Sequence, residues 1–260
     1  QAGLVTGPTI GGFLVGWAGK PVAYAVAAVF AACAALAMLR MQVEEPAPAA
    51  TRTPVLSSIA EGARFVFGHQ VLLAALALDM FAVMFGGAIS LAPAFIQEIL
   101  HYGPEGLGIL RAAPALGAVA MGVWLARRPL DRNAGRILLL AVVGFGLCMI
   151  GFGLSTAFWL SACFLLLSGV CDGVSVVARS TIMQLATPDH MRGRVSSING
   201  LFVGSSNEIG AFYAGSMARL LGLVPAVVLG GCVTVGVAAV TAWRAPKLRR
   251  LHFHELVAGR

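Results

Sequence analysis

The chain has 260 residues, of which 58% are hydrophobic and only 11% charged, and its mean hydropathy is +0.87. A soluble domain of this length carries about a quarter charged residues, so a water-soluble core is excluded. The formal net charge of +7 would suit a nucleic-acid binder, but the basic residues sit in short gaps beside apolar runs, where they set membrane topology and meet anionic headgroups, so no nucleic-acid partner is expected.

A bilayer core takes about 20 apolar residues per helix. Apolar runs of that kind predict eight spans, at 2–17, 21–39, 71–96, 106–126, 137–154, 158–183, 195–218 and 223–243. The first starts at once, without Met or a basic flank, so the chain is expected to be the C-terminal part of a longer protein. Gly19-Lys20-Pro21 is read as the turn between the first two spans. A polar Pro/Ala-rich linker, MQVEEPAPAATRT at 41–53, follows them. Beyond it, the spacing of Leu56, Ile59, Phe65 and Val66 predicts a short amphipathic helix on the cytoplasmic face. Short breaks then separate the remaining six: 101–104, 155–156 and 222–225 among them, so successive helices are expected to pack as an up-and-down bundle.

With Gln1 placed inside, fourteen Lys and Arg fall in the inside gaps and tail, and only Lys20 and Arg219 outside. That asymmetry puts the C-terminus in the cytoplasm. The resulting domains are 1–40 (the last two helices of an N-terminal bundle), 41–69 (linker and amphipathic helix), 70–244 (a six-helix bundle) and 245–260 (a cytoplasmic tail whose His252 and His254 form a solvated end). The five cysteines all lie within spans and form no CxxC pair, which makes them packing residues.

Two helices before a linker and six after it are what remains of a six-plus-six protein. The first span carries Gly3, Gly7, Pro8, Gly11 and Gly12 as GxxxGPxxGG; glycines let helices approach closely and the proline bends one. An inside loop carries Asp131, Arg132, Gly135 and Arg136 as DRxxGR, with Arg127 upstream. These motifs resemble, respectively, the fifth-helix antiporter signature and the loop motif of the major facilitator superfamily; at Arg127 that loop motif has glycine. The run 178–215, ARSTIMQLATPDHMRGRVSSINGLFVGSSNEIGAFYAG, together with 78–87, is similar to the enterobactin-exporter-like branch. The resemblance implies an all-α facilitator fold. It also implies a proton-driven exporter of siderophores or other amphiphilic molecules, set in the bacterial inner membrane.

Ionisable groups deep in a bilayer are costly and mark sites by default. Asp79 lies mid-span with no basic residue within a turn on its own helix, Glu208 lies mid-span beside Asn207, and Asp172, Arg111 and Arg179 complete the candidates. The resemblance puts all five on helices that face or flank a central cavity, leaving the second, fifth and eighth spans as outer supports. Met80 and Met84 would suit a pliable cavity wall. Gly86-Gly87 and Pro93 break the third span, as happens near binding regions. Competing readings are structural: Asp79 as a cap or structural partner, Asp172–Arg179 as a clamp two turns apart, Arg111 and Arg179 snorkelling to an interface. Multidrug efflux, or another permease on the same fold, stays open beside siderophore export. A membrane enzyme would need a Ser/Lys or Asp/Asp pair or clustered histidines, whereas His69, His101 and His190 stand singly. No catalysis, cofactor or metal is therefore expected; a non-transporting scaffold is the remaining alternative. The expected partners are a small-molecule substrate, the bilayer and protons.

Overall fold

A computed structural model of the chain describes residues 2–40, 55–127, 133–249 and 251, with residues 2–20, 55–56, 88 and 104–105 described as backbone alone. The helices are α1 (Ala2–Arg40), α2 (Val55–Gly68), α3 (Gln70–Gly86), α4 (Ala92–Phe95), α5 (Pro104–Arg127), α6 (Ala134–Leu154), α7 (Phe158–Ala186), α8 (Arg192–Leu221), α9 (Leu223–Arg244) and α10 (Pro246–Arg249), and no strand occurs among the described residues. A helix closes its own backbone hydrogen bonds, which lipid demands because it offers no partners.

Among the described residues, six helical stretches are long and apolar enough to cross a membrane: Pro21–Arg40, Gln70–Leu100, Gly106–Arg127, Ala134–Leu154, Phe158–Ala186 and Leu223–Arg244. That count is smaller than the eight expected, for two reasons. The 30-residue α8 has the length, but Arg192, Arg194, Asn207, Glu208 and Arg219 make it too polar to qualify by composition. The first expected span, 2–17, lies in the part described as backbone alone and is not among the stretches counted. Residues 2–40 follow one unbroken helix through Gly19-Lys20-Pro21, where a turn was expected. Nothing in that triplet forbids helical dihedrals, since proline's fixed φ is itself helical. At about 1.5 Å per residue this helix is roughly twice as long as the hydrocarbon core is thick. The stretch 21–40 is exposed on almost every side, and α1 reaches the bundle through contact with α5.

Consecutive helices are not always neighbours. The main pairings are α5 with α7, α6 with α7, α6 with α9, α3 with α8 and α3 with α9, whereas α5 with α6 and α7 with α8 touch marginally at most. The expected up-and-down order thus fails at two of its junctions. A different order replaces it: exchanging the triplet α3, α5, α6 for the triplet α7, α8, α9 maps these pairings onto one another. Asp79 pairs with Arg179, and Leu72 shares a cluster with Ile182, so α3 and α7 run antiparallel. The bundle is an inverted three-plus-three repeat.

Close backbone approach fixes the crossings. A Cβ on Gly169 of α7 would meet the Pro114 carbonyl oxygen of α5 at 1.9 Å, and one on Gly230 of α9 would meet the Phe85 carbonyl oxygen of α3 at 2.2 Å. Only a residue without a side chain fits either crossing. The Thr234 hydroxyl on α9 lies 3.3 Å from the Ala82 carbonyl oxygen of α3 and 3.0 Å from that of Gly230.

Two apolar clusters fill the interior. One, near α2, joins Leu72, Leu78, Leu138 and Ile182; the other, at the far end, joins Phe95, Leu110, Phe152 and Phe158. The chain after α9 belongs to the first cluster: Ala245, Leu248 and Leu251 are buried, so the start of the tail is packed against the bundle. Gly135 of the loop motif provides the seat, because a Cβ there would meet the Leu248 carbonyl oxygen at 1.6 Å. Arg136 is exposed, and Asp131 and Arg132 lie outside the described residues, as do His252 and His254. Gly3, Gly7, Pro8, Gly11 and Gly12 lie in α1, in its backbone-only part.

The amphipathic helix at 55–68 is present and rests one face on protein. Val66 is fully buried against Leu76, Met191, Val195 and Ile198, while Ile59 and Phe67 stay exposed.

Candidate functional site

Between the two apolar clusters lies a cavity of about 360 Å³. One face of α7 forms its longest wall, with Leu165, Ser168, Asp172, Val176 and Arg179 recurring every three or four residues. From α3 come Asp79, Val83 and Gly86; from α5, Arg111 and Pro114; from α8, Val203 and Asn207. Pro114 has no N–H to give the preceding turn, which loosens α5 one turn from Arg111.

The expected break in the third span opens this cavity. Helix α3 ends at Gly86, a 3-10 turn runs Ala88–Leu91, α4 restarts with Pro93 in its first turn, and a π-turn follows over Ile96–Leu100. Gly86 and Gly87 both line the cavity. A Cβ at Gly86 would lie 2.7 Å from the Phe145 ring and 2.8 Å from the Thr234 hydroxyl.

Asp79 does have a cationic partner, on another helix. Arg179 Nη1 donates a hydrogen bond to Asp79 Oδ2, and the two side chains are only 10% and 6% exposed. Asp79 sits nine residues into α3, about 13 Å along the helix, and Arg179 seven residues from the end of α7, about 10 Å. The pair therefore ties the first helix of one triplet to the first helix of the other. Removing one partner of a buried pair leaves an uncompensated charge, a penalty of about 3–5 kcal/mol.

Asp172, at the midpoint of α7, and Arg111 line the same cavity and take part in none of the salt bridges found among the described residues. Arg179 is engaged by Asp79, and no direct salt bridge joins it to Asp172, the pair weighed as a clamp. Two carboxylates and two guanidiniums thus share one cavity, with formal charges that cancel.

Four of the five candidates converge here. Glu208 does not: it is exposed and off the cavity wall, while its neighbour Asn207 lines it and donates to the Val203 carbonyl oxygen at 2.9 Å. One residue of helix is a rotation of about 100°, enough to turn Glu208 away. Met80 and Met84 are not on the wall either; the Met84 backbone packs under Gly210 of α8. Helix α6, expected as an outer support, contributes Phe145 and Met149. Nothing in an apolar run distinguishes such wall residues from lipid-facing ones; the buried Ser168, which bonds back to the Leu165 carbonyl oxygen at 2.7 Å, was the polar signal available on α7.

The family model described as the Major Facilitator Superfamily matches residues 1–211. The chain belongs to that superfamily. It is accordingly a multi-pass, all-α membrane protein, and its inverted triplets are the fold's internal repeat. Curated relatives of this superfamily chain include the multidrug efflux pump Tap of Mycolicibacterium fortuitum, 27% identical over 96% of the chain and 61% of that protein. The enterobactin exporter EntS of Shigella flexneri is 29% identical over 85% of the chain and 52% of its own length, and that of Citrobacter koseri 27% identical over 96% and 60%. The chain thus spans about half to three-fifths of the relatives it matches.

Proposed function

We propose that this chain is part of a secondary active exporter that moves a siderophore or another amphiphilic small molecule outward across a bacterial inner membrane, coupled to proton entry by alternating access. Residues 1–40 would complete an N-terminal bundle, 41–69 link the halves on the cytoplasmic side, and 70–244 form the C-terminal bundle with its tail in the cytoplasm. The observation that carries the reading is the Asp79–Arg179 pair, set in a cavity between inverted triplets with Asp172 and Arg111 beside it. A cavity with an apolar wall and a few convergent charges suits an amphiphilic ligand.

The chemistry follows from the pair. The Asp79 carboxylate can take a cationic or hydrogen-bond-donating group of the cargo in exchange for Arg179. A proton on Asp79 cancels its charge and expels that group. Proton and substrate compete for one carboxylate, and that competition is the coupling. Asp172 and Arg111 would hold the remainder of the cargo. The efflux functions named for Tap and the enterobactin exporters support outward transport, and Val83, Phe145 and Leu165 would accept many apolar shapes.

The test is made on the full-length protein in vesicles, measuring pH-driven efflux and substrate counterflow. Asp79→Asn abolishes pH-driven efflux, while Glu208→Gln retains it. Undiminished pH-driven efflux by a well-folded Asp79→Asn protein would overturn the coupling scheme.

A further inference from the structure

A second cavity, of about 260 Å³, lies away from the first, where α7 ends and α8 begins. Met183, Gln184, Thr187, Arg192 and Ser196 line it. Its wall thus brings a cation, two hydroxyls and an amide, and no carboxylate. Three further observations bear on what it holds. Thr187 is 1% exposed, and its Oγ1 is one of the buried polar atoms left without a hydrogen-bond partner. The 30-residue α8 starts at this cavity, directly after the 3-10 turn Asp189–Met191, with no side-chain cap and no acidic residue in its own first turn, so its positive dipole end is offset only by Asp189. Finally, Arg192 Nη2 already holds a carboxylate, that of the 82% exposed Asp189 side chain at 3.0 Å, and it lies 3.5 Å from the Gln184 carbonyl oxygen.

We propose that this cavity binds a phosphate group, either the headgroup of an anionic lipid or free inorganic phosphate. The guanidinium of Arg192 supplies charge-assisted hydrogen bonds in place of those to Asp189, and the positive end of the α8 dipole adds to the attraction. The Thr187 hydroxyl donates to a phosphate oxygen and so gains the partner it lacks. Ser196, one turn into α8, adds a second hydroxyl to the lining. Neither the cargo nor the direction of transport enters this assignment, which stands or falls independently of the exporter reading.

The probes are inorganic phosphate and a lipid of stated headgroup. The full-length protein is placed in nanodiscs of phosphatidylcholine, with or without phosphatidylglycerol, and its thermal midpoint is followed as phosphate is added against a sodium chloride series of equal ionic strength. A ligand that binds only the folded state raises the midpoint in proportion to its occupancy. A rise with phosphatidylglycerol alone identifies the lipid headgroup; a saturable rise with inorganic phosphate in phosphatidylcholine identifies free phosphate. Arg192→Gln, at a half-exposed position, weakens either response roughly tenfold, as expected for a lost charge-assisted bond. Thr187→Val keeps the shape of the side chain and removes a hydroxyl that has no partner in the empty cavity. In phosphatidylcholine without phosphate it therefore leaves the midpoint unchanged or raises it, yet it still weakens the response to the probe. The proposal is overturned if neither probe moves the wild-type midpoint beyond the chloride series. It is equally overturned if the protein carrying both Arg192→Gln and Thr187→Val responds as the wild type does, which would leave the cavity to water.

Discussion

Two ion pairs join distant parts of this chain and differ in almost everything but chemistry. Asp79–Arg179 crosses the middle of the bundle, with side chains 6% and 10% exposed. Glu61–Arg194 fastens α2 to the first turn of α8 at one end of it, with side chains 49% and 29% exposed. Desolvated charges without a partner are expensive, so the inner pair makes each residue depend on the other. Solvated charges lose little when separated, so the outer pair leaves both residues nearly independent. A switch driven by protons needs the first kind of coupling, because only there does adding one proton change the energy of the partner substantially.

Breaking the inner pair is therefore the largest expected effect. In the full-length protein Asp79→Asn leaves Arg179 buried and alone, and stability falls by about 3–5 kcal/mol. The double change Asp79→Asn with Arg179→Gln removes both charges and recovers most of that loss, while pH-driven efflux stays absent. Thermal denaturation in detergent beside a vesicle flux assay reads both quantities. A double variant as unstable as the single one would mean that the pair is not the source of the cost.

The glycine crossings extend the comparison from charge to volume. Gly169→Ala places a methyl group against the Pro114 carbonyl oxygen and forces α5 from α7, at an expected cost of about 1–3 kcal/mol. Gly236→Ala on α9 meets no atom within 4 Å and gains helix propensity, so it is neutral or stabilising by up to about 1 kcal/mol. Denaturation midpoints of the two variants separate them, and equal effects would contradict the crossing geometry.

Much of this was legible in the residues, and the gaps have physical causes. Asp79, Asp172, Arg111 and Arg179 stand out because charge is rare in apolar runs, and the structure gathers all four at one cavity. Their pairing was not legible. Helical spacing links a residue to positions three or four away on its own helix, whereas Arg179 lies 100 residues from Asp79. Gly86 and Pro93 announced the break in the third span, since both weaken a helix locally. Gly19 and Pro21 carried the same signal where the backbone remains helical, because turn chemistry permits a turn without requiring it. Phe145 and Met149 went unnoticed as wall residues for the converse reason: lipid and a cavity select the same apolar side chains. Glu208 was separated from its neighbour Asn207 only by rotation, and α8 is polar on too many sides for its sequence to fix that angle.

The smallest expected effect lies at the outer pair, and its size decides what holds α2 in place. Exposed pairs contribute about 0–1 kcal/mol, so a double-mutant cycle on Glu61→Gln and Arg194→Gln should give a coupling in that range that shrinks further as salt is raised. Packing points to a different anchor. Val66 is fully buried beneath α2, and a Cβ on Gly62 would already lie 3.1 Å from Arg194 Cβ. Val66→Ala should therefore cost more than Glu61→Gln, because it opens a cavity between α2 and α8 whatever the ionic strength. Thermal midpoints at low and high salt measure both terms at once. If Glu61→Gln proved the costlier change and salt left its cost untouched, the pair would have to be shielded from water in the complete protein. The difference between the inner and outer pairs would then be one of position alone, and α2 would be fastened by charge.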